Sequence, residues 1–139
     1  MTFSIAGRCA RTGMFGVAIT TSSISVGSRC PHVRAGVGAV ATQNITDPHL
    51  ATLVLDAMEA GSDASNAISA VTKGRNFIDY RQLTAVDAKG NTAYFTGKNI
   101  LGTNAISEDT DCVAAGNLLS SEAVAKGISD GFTANPDAH

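Results

Sequence analysis

The sequence contains no tryptophan, two tyrosines and five phenylalanines among 139 residues, so aromatic side chains contribute little to any core. Hydrophobic residues still make up 44% of the chain, and many are alanine or valine, alongside 14 glycines. Small side chains let sheets and helices approach closely. The composition therefore predicts one globular domain over residues 1–139, built from packed layers.

Acidic residues are absent from the first 46 positions, which contain Arg8, Arg11, Arg29 and Arg34. Either this imbalance reflects solvated strand ends, or it creates a positive field near the N-terminus that attracts an anionic substrate. Four scattered arginines without interleaved aromatic residues form no basic stripe. Nucleic acid is therefore not an expected partner.

Metal-ligand spacing is absent from the cysteines and histidines, which are Cys9, Cys30, Cys112, His32, His49 and His139. No apolar run approaches membrane-spanning length, and no basic-then-apolar leader precedes the domain. We therefore expect a cytoplasmic protein with reduced thiols, no metal or other cofactor, and no membrane contact.

The N-terminal third has the patterns of short strands. Strands are predicted over 3–8, 15–21 and 35–43, and the first two should form a hairpin that turns at Gly13. The stretch 22–34 contains the breakers Gly27 and Pro31 and is predicted to be irregular. This part of the chain is therefore mainly β.

Two helical patterns follow. Asp47 suits the N-cap of the first helix, Pro48 its first position and Gly61 its stop. Ser62 is expected to cap a second helix that ends near Lys73. Helices with so short a link should pack as an antiparallel pair against a sheet.

The second half returns to strands and ends in a helix. Strands on either side of a turn at 88–91 are predicted within QLTAVDAKGNTAYFTG (82–97), followed by a looser segment over 98–111. CVAAGN (112–117) and a helix from Ser120 or Ser121 to about Phe132 complete the pattern. Strands and helices in blocks predict an α+β layered fold rather than alternating βαβ units.

The first residues, MTFSIAGR, suggest a specific chemistry. Initiator methionine is commonly removed when the second residue is small, as Thr2 is. Thr2 would then carry a hydroxyl and a free α-amine, which are a nucleophile and a base on one residue. An α-amine has an ordinary pKa near 8, so it can act as a base at working pH.

The chain resembles a family of the N-terminal-nucleophile (Ntn) hydrolase superfamily, known as domain of unknown function 1028. The similar stretches are MTFSIAGR (1–8), GVAI (16–19), RAGVGAVATQ (34–43), DYRQL (79–83) and AAGN (114–117). The resemblance implies a four-layer αββα sandwich, in which two antiparallel sheets lie between two helix layers, as in proteasome β-subunits. It also implies Thr2 as the nucleophile. Members of the family continue further, so this chain is expected to be C-terminally truncated.

Superfamily analogy suggests further catalytic residues. Backbone N–H groups of Gly36 and Gly38 are candidates for binding an oxyanion, or these glycines only permit close sheet packing. Arg34 is a candidate for lowering the pKa of the amine or for binding a substrate carboxylate, or it lies in solvent. No carboxylate stands at the end of strand 15–21, where proteasome subunits place one.

Four polar residues are candidates for substrate binding: Ser22, Gln43, Asn44 and Asn117. Such residues are also typical hydrogen-bonding groups at turns and strand ends. We predict an Ntn amidohydrolase that cleaves a C–N bond of a small, anionic metabolite. The alternatives are a catalytically silent, oligomeric ligand-binding or scaffold protein that retains Met1, and a proteasome-like assembly subunit. Open sheet edges favour a homo-oligomer in each case.

Overall fold

Two four-stranded antiparallel sheets form the centre of the fold in the computed structural model, which describes residues 1–135. The elements, in chain order, are β1 (Thr2–Arg8), β2 (Phe15–Thr21), β3 (Pro31–Arg34), β4 (Gly38–Asn44), α1 (Pro48–Glu59), α2 (Ala64–Thr72), β5 (Arg81–Asp87), β6 (Thr92–Thr96), β7 (Ala105–Asp109), β8 (Cys112–Asn117) and α3 (Ala123–Thr133). The first sheet has the order β2-β1-β8-β7 and the second β3-β4-β5-β6.

The two sheets stack face to face through small side chains. Ala6 and Val113 of the first sheet pack against Ala39 and Val86 of the second. Helices α1 and α2 cover the outer face of the second sheet with a core that includes Leu50, and α3 packs on β7 and β8. The predicted αββα sandwich is confirmed. Among residues 1–135, no helix is both long and apolar enough to span a bilayer.

The helix boundaries follow from the capping residues. Asp47 caps α1 by accepting a hydrogen bond from the His49 N–H over 3.2 Å, as predicted. The cap of α2 is Asp63 rather than Ser62, because the Asp63 carboxylate accepts from the Asn66 N–H over 2.7 Å. A carboxylate also interacts favourably with the positive end of the helix dipole.

Two strands lie in segments that were predicted to be irregular or loose. β3 falls within 22–34 and β7 within 98–111. Both are edge strands that pair on one side only, and they have four and five residues. Pro31 is tolerated because it is the first residue of an edge strand. Short edge strands need little apolar alternation, so the sequence pattern does not reveal them.

Candidate functional site

Thr2 lies at one end of the space between the two sheets. It begins β1, an inner strand, and pairs with Thr21 of β2 on one side and Asn117 of β8 on the other. Alternate residues of a strand face the same side. Because Ala6 packs between the sheets, the half-buried side chain of Thr2 is directed there as well. Its Oγ1 lies 2.9 Å from Oγ1 of Thr21.

Met1 occupies two hydrogen-bonding groups of Ser22. The Met1 amine donates to Oγ of Ser22 over 3.3 Å, and the Met1 carbonyl oxygen accepts from the Ser22 N–H over 3.2 Å. Met1 is 47% exposed, so an aminopeptidase can reach it. Its removal would turn the Thr2 nitrogen into an α-amine and release both groups of Ser22 beside it.

Buried polar side chains lie directly inside Thr2. Gln43 and Asn117, two of the predicted substrate-binding residues, are 1% and 2% exposed. Oε1 of Gln82 accepts from Nε2 of Gln43 over 2.8 Å and from Nδ2 of Asn117 over 3.3 Å. Ser4 donates to Oε1 of Gln43 over 2.7 Å. The structure therefore brings Gln43 and Asn117 to the Thr2 end of the sandwich.

Three residues of this cluster were missed in the sequence: Ser4, Thr21 and Gln82. Thr21 could have been found from the predicted hairpin, because pairing Arg8 with Phe15 sets Thr21 opposite Thr2. Ser4 and Gln82 are polar residues at strand positions whose alternation predicts burial. A polar residue at a position that the alternation predicts to be buried is the signal that could have identified both.

Three of the predicted catalytic residues lie at the other end of β4. Arg34 pairs with Gly38 across the β3–β4 hairpin, and Gly36 forms its turn with φ of 75°. Gly38 and Gln43 are five residues apart in the same strand, which corresponds to about 17 Å. The structure therefore does not bring Arg34, Gly36 and Gly38 together with Thr2.

Local packing accounts for both Arg34 and Gly38. Arg34 donates to Asp56 over 2.8 Å and to Glu59 over 2.6 Å, which ties β3 to α1. A Cβ atom added to Gly38 would lie 2.4 Å from the carbonyl oxygen of Val86. Gly38 therefore permits the close approach of β4 and β5, which is one of the two interpretations left open from the sequence.

Asn44 is directed away from the space between the sheets, because it follows the inward-facing Gln43. Its Nδ2 donates to the Tyr80 carbonyl over 2.7 Å, and its Oδ1 accepts from the Leu101 N–H over 3.2 Å. Its φ of 71° lies in the left-handed region, which asparagine tolerates better than most residues. Asn44 joins two loops, and its side-chain hydrogen bonds within residues 1–135 go to those loops and not to the Thr2 cluster.

The positive charge of the N-terminal third is partly neutralised by the fold. Arg8 and Arg34 pair with carboxylates from later in the sequence. Arg29 and Arg81 instead donate to backbone carbonyl groups, and neither has a carboxylate partner within residues 1–135. Arg29 belongs to the loop that leaves β2, and Arg81 begins β5. Both segments border the Thr2 end of the sandwich.

The thiols lie outside this cluster. Cys30 and Cys112 are buried. Burial, and to a smaller extent the nearby carboxylates of Asp109 and Asp111, raise the pKa of Cys112 to about 11. Cys9 is partly buried in the β1–β2 turn, where a hydrogen bond with the Thr12 side chain lowers its pKa. Residues 1–135 contain no group of histidine, cysteine and acidic residues arranged to hold a metal. His139 lies outside the described residues.

A cavity of about 850 Å³ lies on the outer face of the first sheet. Ile5, Met14 and Phe132 are among the side chains that line it. Thr2 does not line it, and Ile5 is directed to the opposite face of β1 from Thr2. This cavity is therefore separate from the N-terminal cluster.

Comparison with known proteins identifies relatives but no activity. A family profile described as "Family of unknown function (DUF1028)" matches residues 2–139. The crystal structure of protein SPO2555 from Silicibacter pomeroyi, which carries the same family assignment, matches with a TM-score of 0.92 at 30% sequence identity. The match covers 96% of this chain and 59% of that protein, so this chain spans about three fifths of its length. A comparison with curated proteins finds no match.

Proposed function

The chain belongs to the DUF1028 family of unknown function, and we propose that it is an Ntn amidohydrolase whose nucleophile is Thr2 after removal of Met1. The position of Thr2 carries the proposal. Its half-buried hydroxyl begins an inner strand, faces the space between the sheets and lies 2.9 Å from the Thr21 hydroxyl. A residue that holds both nucleophile and base needs no second side chain to activate it.

The proposed reaction uses the two groups of Thr2 and water. Oγ attacks the carbonyl carbon of a bound amide while the α-amine takes the hydroxyl proton, which it then gives to the leaving nitrogen. The C–N bond breaks, the product amine departs and the acyl group remains as an ester on Thr2. Water then attacks this ester and gives a proton to the amine. That proton returns to Oγ as the carboxylic acid leaves, which restores Thr2.

Ser22 is the proposed donor to the oxyanion that forms during both attacks. Its N–H binds the Met1 carbonyl oxygen over 3.2 Å and its Oγ binds the Met1 amine over 3.3 Å. Loss of Met1 leaves a backbone N–H beside the new amine, where a negatively charged oxygen can accept from it. Backbone N–H groups stabilise such charge effectively because they are already oriented before the reaction.

The proposed substrate is a small, anionic compound with an amide-type C–N bond. Arg29 supports this class, because its guanidinium donates to Ser23 Oγ and the Ile24 carbonyl, directly after Ser22, and has no carboxylate partner in residues 1–135. Gln43 is buried within the cluster, so its role is to support the site from the inside. The proposed chemistry calls on no cofactor.

The first test is the intact mass of untagged protein from its native host, which must show loss of Met1. A β-lactone, which acylates a hydroxyl by ring opening, then probes the nucleophile, and peptide mapping must locate the adduct at Thr2. Thr2→Ala should abolish this labelling. Thr20→Ala is the matched control, because Thr20 is exposed on the opposite face of the neighbouring strand. Full retention of Met1, or undiminished labelling of Thr2→Ala, would overturn the proposal.

A second candidate is a catalytically silent ligand-binding or scaffold protein that retains Met1. The outer cavity of about 850 Å³ favours it, since this space can take an apolar ligand without any contribution from Thr2. Thr2→Ala would then leave ligand binding unchanged. The exposed edges of both sheets favour a homo-oligomer under either proposal, which size-exclusion chromatography with light scattering would measure.

A further inference from the structure

A chain of buried hydrogen bonds crosses between the sheets just inside Thr2. The Ser4 hydroxyl donates to Oε1 of Gln43 over 2.7 Å, and Nε2 of Gln43 donates to Oε1 of Gln82 over 2.8 Å. Nε2 of Gln82 donates in turn to the carbonyl oxygen of Gly116 over 3.2 Å. Ser4, Gln43 and Gln82 are each at most 2% exposed.

The carbonyl of Gly116 sets the direction of this chain. A backbone carbonyl can only accept, so the amide of Gln82 must turn its NH₂ group toward Gly116 and its oxygen away. Oε1 of Gln82 can also only accept. It accepts hydrogen bonds from Nε2 of Gln43 and, over 3.3 Å, from Nδ2 of Asn117. The amide of Asn117 is therefore held with its NH₂ group toward Gln82.

This orientation determines what Asn117 offers to Thr2. The two residues are directly paired between β8 and β1, and the side chains of such pairs lie within about 5.5 Å at Cβ. With Nδ2 engaged by Gln82, Oδ1 is the side-chain atom that remains. An α-amine presents hydrogen-bond donors, for which an amide oxygen is a suitable acceptor.

We propose that Gln82 is a positioning residue of the Thr2 site: by accepting the hydrogen bond of Asn117 Nδ2, it keeps Asn117 Oδ1 directed toward the Thr2 amine. This inference rests on the proposed function. Gln82 acts only through Asn117 and does not contact the substrate. In its absence, the Asn117 amide can rotate and present its NH₂ group to the amine, where two donors face each other.

A neutral acceptor suits an amine that has to act as a base. A carboxylate at this place would favour the protonated amine and raise its pKa. The residues paired with or adjoining Thr2 on β2 and β8 are Thr21, Ser22 and Asn117, and all are uncharged. The charged groups in the segments around this end are the cations Arg29 and Arg81 and the Lys98–Asp79 pair. Two further carboxylates follow the strands of this end, Asp47 after β4 and Glu122 after β8.

The experiment uses protein that begins at Thr2, released from an N-terminal fusion, so that it does not depend on cellular removal of Met1. Gln82→Met keeps the approximate length of the side chain and removes its hydrogen bonds. The matched control is Thr84→Val, since Thr84 is buried on the same face of β5 and its hydroxyl has no hydrogen-bond partner in residues 1–135. NMR titration of labelled Thr2 reports the protonation of the amine, and β-lactone labelling reports the reactivity of its hydroxyl.

Gln82→Met is expected to lower the pKa of the Thr2 amine, because the acceptor that stabilises the protonated form is no longer held in place. The limiting rate of labelling should fall on the order of 10²-fold, as for a misplaced catalytic group, with little change in probe affinity. Thr84→Val should leave both measurements unchanged. An unaltered amine titration in folded Gln82→Met would overturn the inference.

If Gln82→Met fails to fold, Asn117→Asp provides the second test. It keeps an oxygen at the Oδ1 position and adds a negative charge, so the pKa of the Thr2 amine should rise by more than in a control with the same charge placed at the exposed Asn66. No rise would show that position 117 does not face the amine. Absence of labelling in the wild-type protein would overturn the proposed function, while the titration would still decide the positioning role.

Discussion

The Ser4 hydroxyl donates to Oε1 of Gln43 over 2.7 Å, and this contact joins the strand that begins with Thr2 to the opposite sheet. Both residues are buried, so the bond lies where water cannot replace either partner. Buried polar groups are costly when unpaired and confer rigidity when paired. The interior of this sandwich is therefore apolar at its centre, around Ala6, and polar at the Thr2 end.

Ser4→Ala should lower the free energy of unfolding by about 1–3 kcal/mol, because it leaves the buried Oε1 of Gln43 without its donor. Urea unfolding followed by circular dichroism measures the change. Ser65→Ala, at an exposed position of α2, is the control and should have little effect. Equal stabilities of the two variants would show that the Ser4 contact contributes nothing to the fold.

Gly38→Ala should destabilise the protein by about 1–3 kcal/mol, as overpacking commonly does. The new methyl group would lie 2.4 Å from the Val86 carbonyl oxygen and 2.8 Å from Cε of Met58. Gly16→Ala is the matched control, since no atom lies within 4 Å of the added Cβ on that exposed strand. Thermal unfolding of both variants measures the difference. Equal stabilities of the two variants would contradict the packing role of Gly38.

Asp87 connects the β5–β6 turn to the start of α2. Its carboxylate accepts from the N–H groups of Ala64, Lys89 and Asn91 and from the Asn91 side chain. Burial alone raises the pKa of Asp87, but the hydrogen bonds, led by that of the Asn91 side chain, outweigh it and lower the pKa. Because the folded-state pKa lies below the unfolded value of about 3.9, ionised Asp87 stabilises the fold above that pH. The contribution is lost as pH falls through the folded-state value.

Asp87→Asn should therefore reduce the free energy of unfolding at pH 7 by about 1–3 kcal/mol, since an NH₂ group would face N–H donors. The gap between the two proteins should narrow as pH falls from about 4 through the lower folded-state pKa of Asp87, because the contribution of the ionised carboxylate is lost over that range. Urea unfolding at several pH values tests this. Asp130→Asn, which alters an exposed pair with Lys126, should cost less than about 1 kcal/mol. A gap that does not change with pH would contradict the assignment.

Ser22→Pro removes the backbone N–H that is proposed to bind the oxyanion. Thr21 is already extended, which is the conformation that a following proline requires. β-Lactone labelling of Thr2 should fall by about 10²–10³-fold, as for loss of one oxyanion donor. Ser22→Ala keeps the N–H and should retain most of the labelling. Similar rates in the two variants would assign the role to another donor.

Most of the fold was predictable because local patterns encode it. Asp47 and Pro48 mark the start of α1, and the alternation in 3–8 and 15–21 marks the first hairpin. The edge strands β3 and β7 were not predictable from the sequence. Each pairs with only one strand and is short, so it needs little apolar alternation. The N-cap of α2 was predicted at Ser62 instead of Asp63, because serine and aspartate both suit this position and the two residues are adjacent.

The site was predictable only where it depends on local structure. Thr2 follows from its place in the sequence, and Thr21 from the hairpin register. The contacts of Gln82 depend on how β8 pairs with β1 and how the sheets stack, which no local pattern encodes. Analogy placed Arg34 near Thr2, but the β3–β4 turn puts it about one strand length away.

The pairing of Thr2 with Asn117 also determines when the surroundings of Thr2 form during synthesis of the chain. β1 and β2 emerge from the ribosome together and can pair at once, whereas β8 follows only after β3 to β7 and both helices between them. Contacts between residues so distant in sequence form late. Until β8 arrives, Gln82 has no Gly116 carbonyl to orient it, and β1 lacks one of its two neighbours. A nascent chain therefore carries Thr2 from the beginning but completes its surroundings only after β8 has emerged.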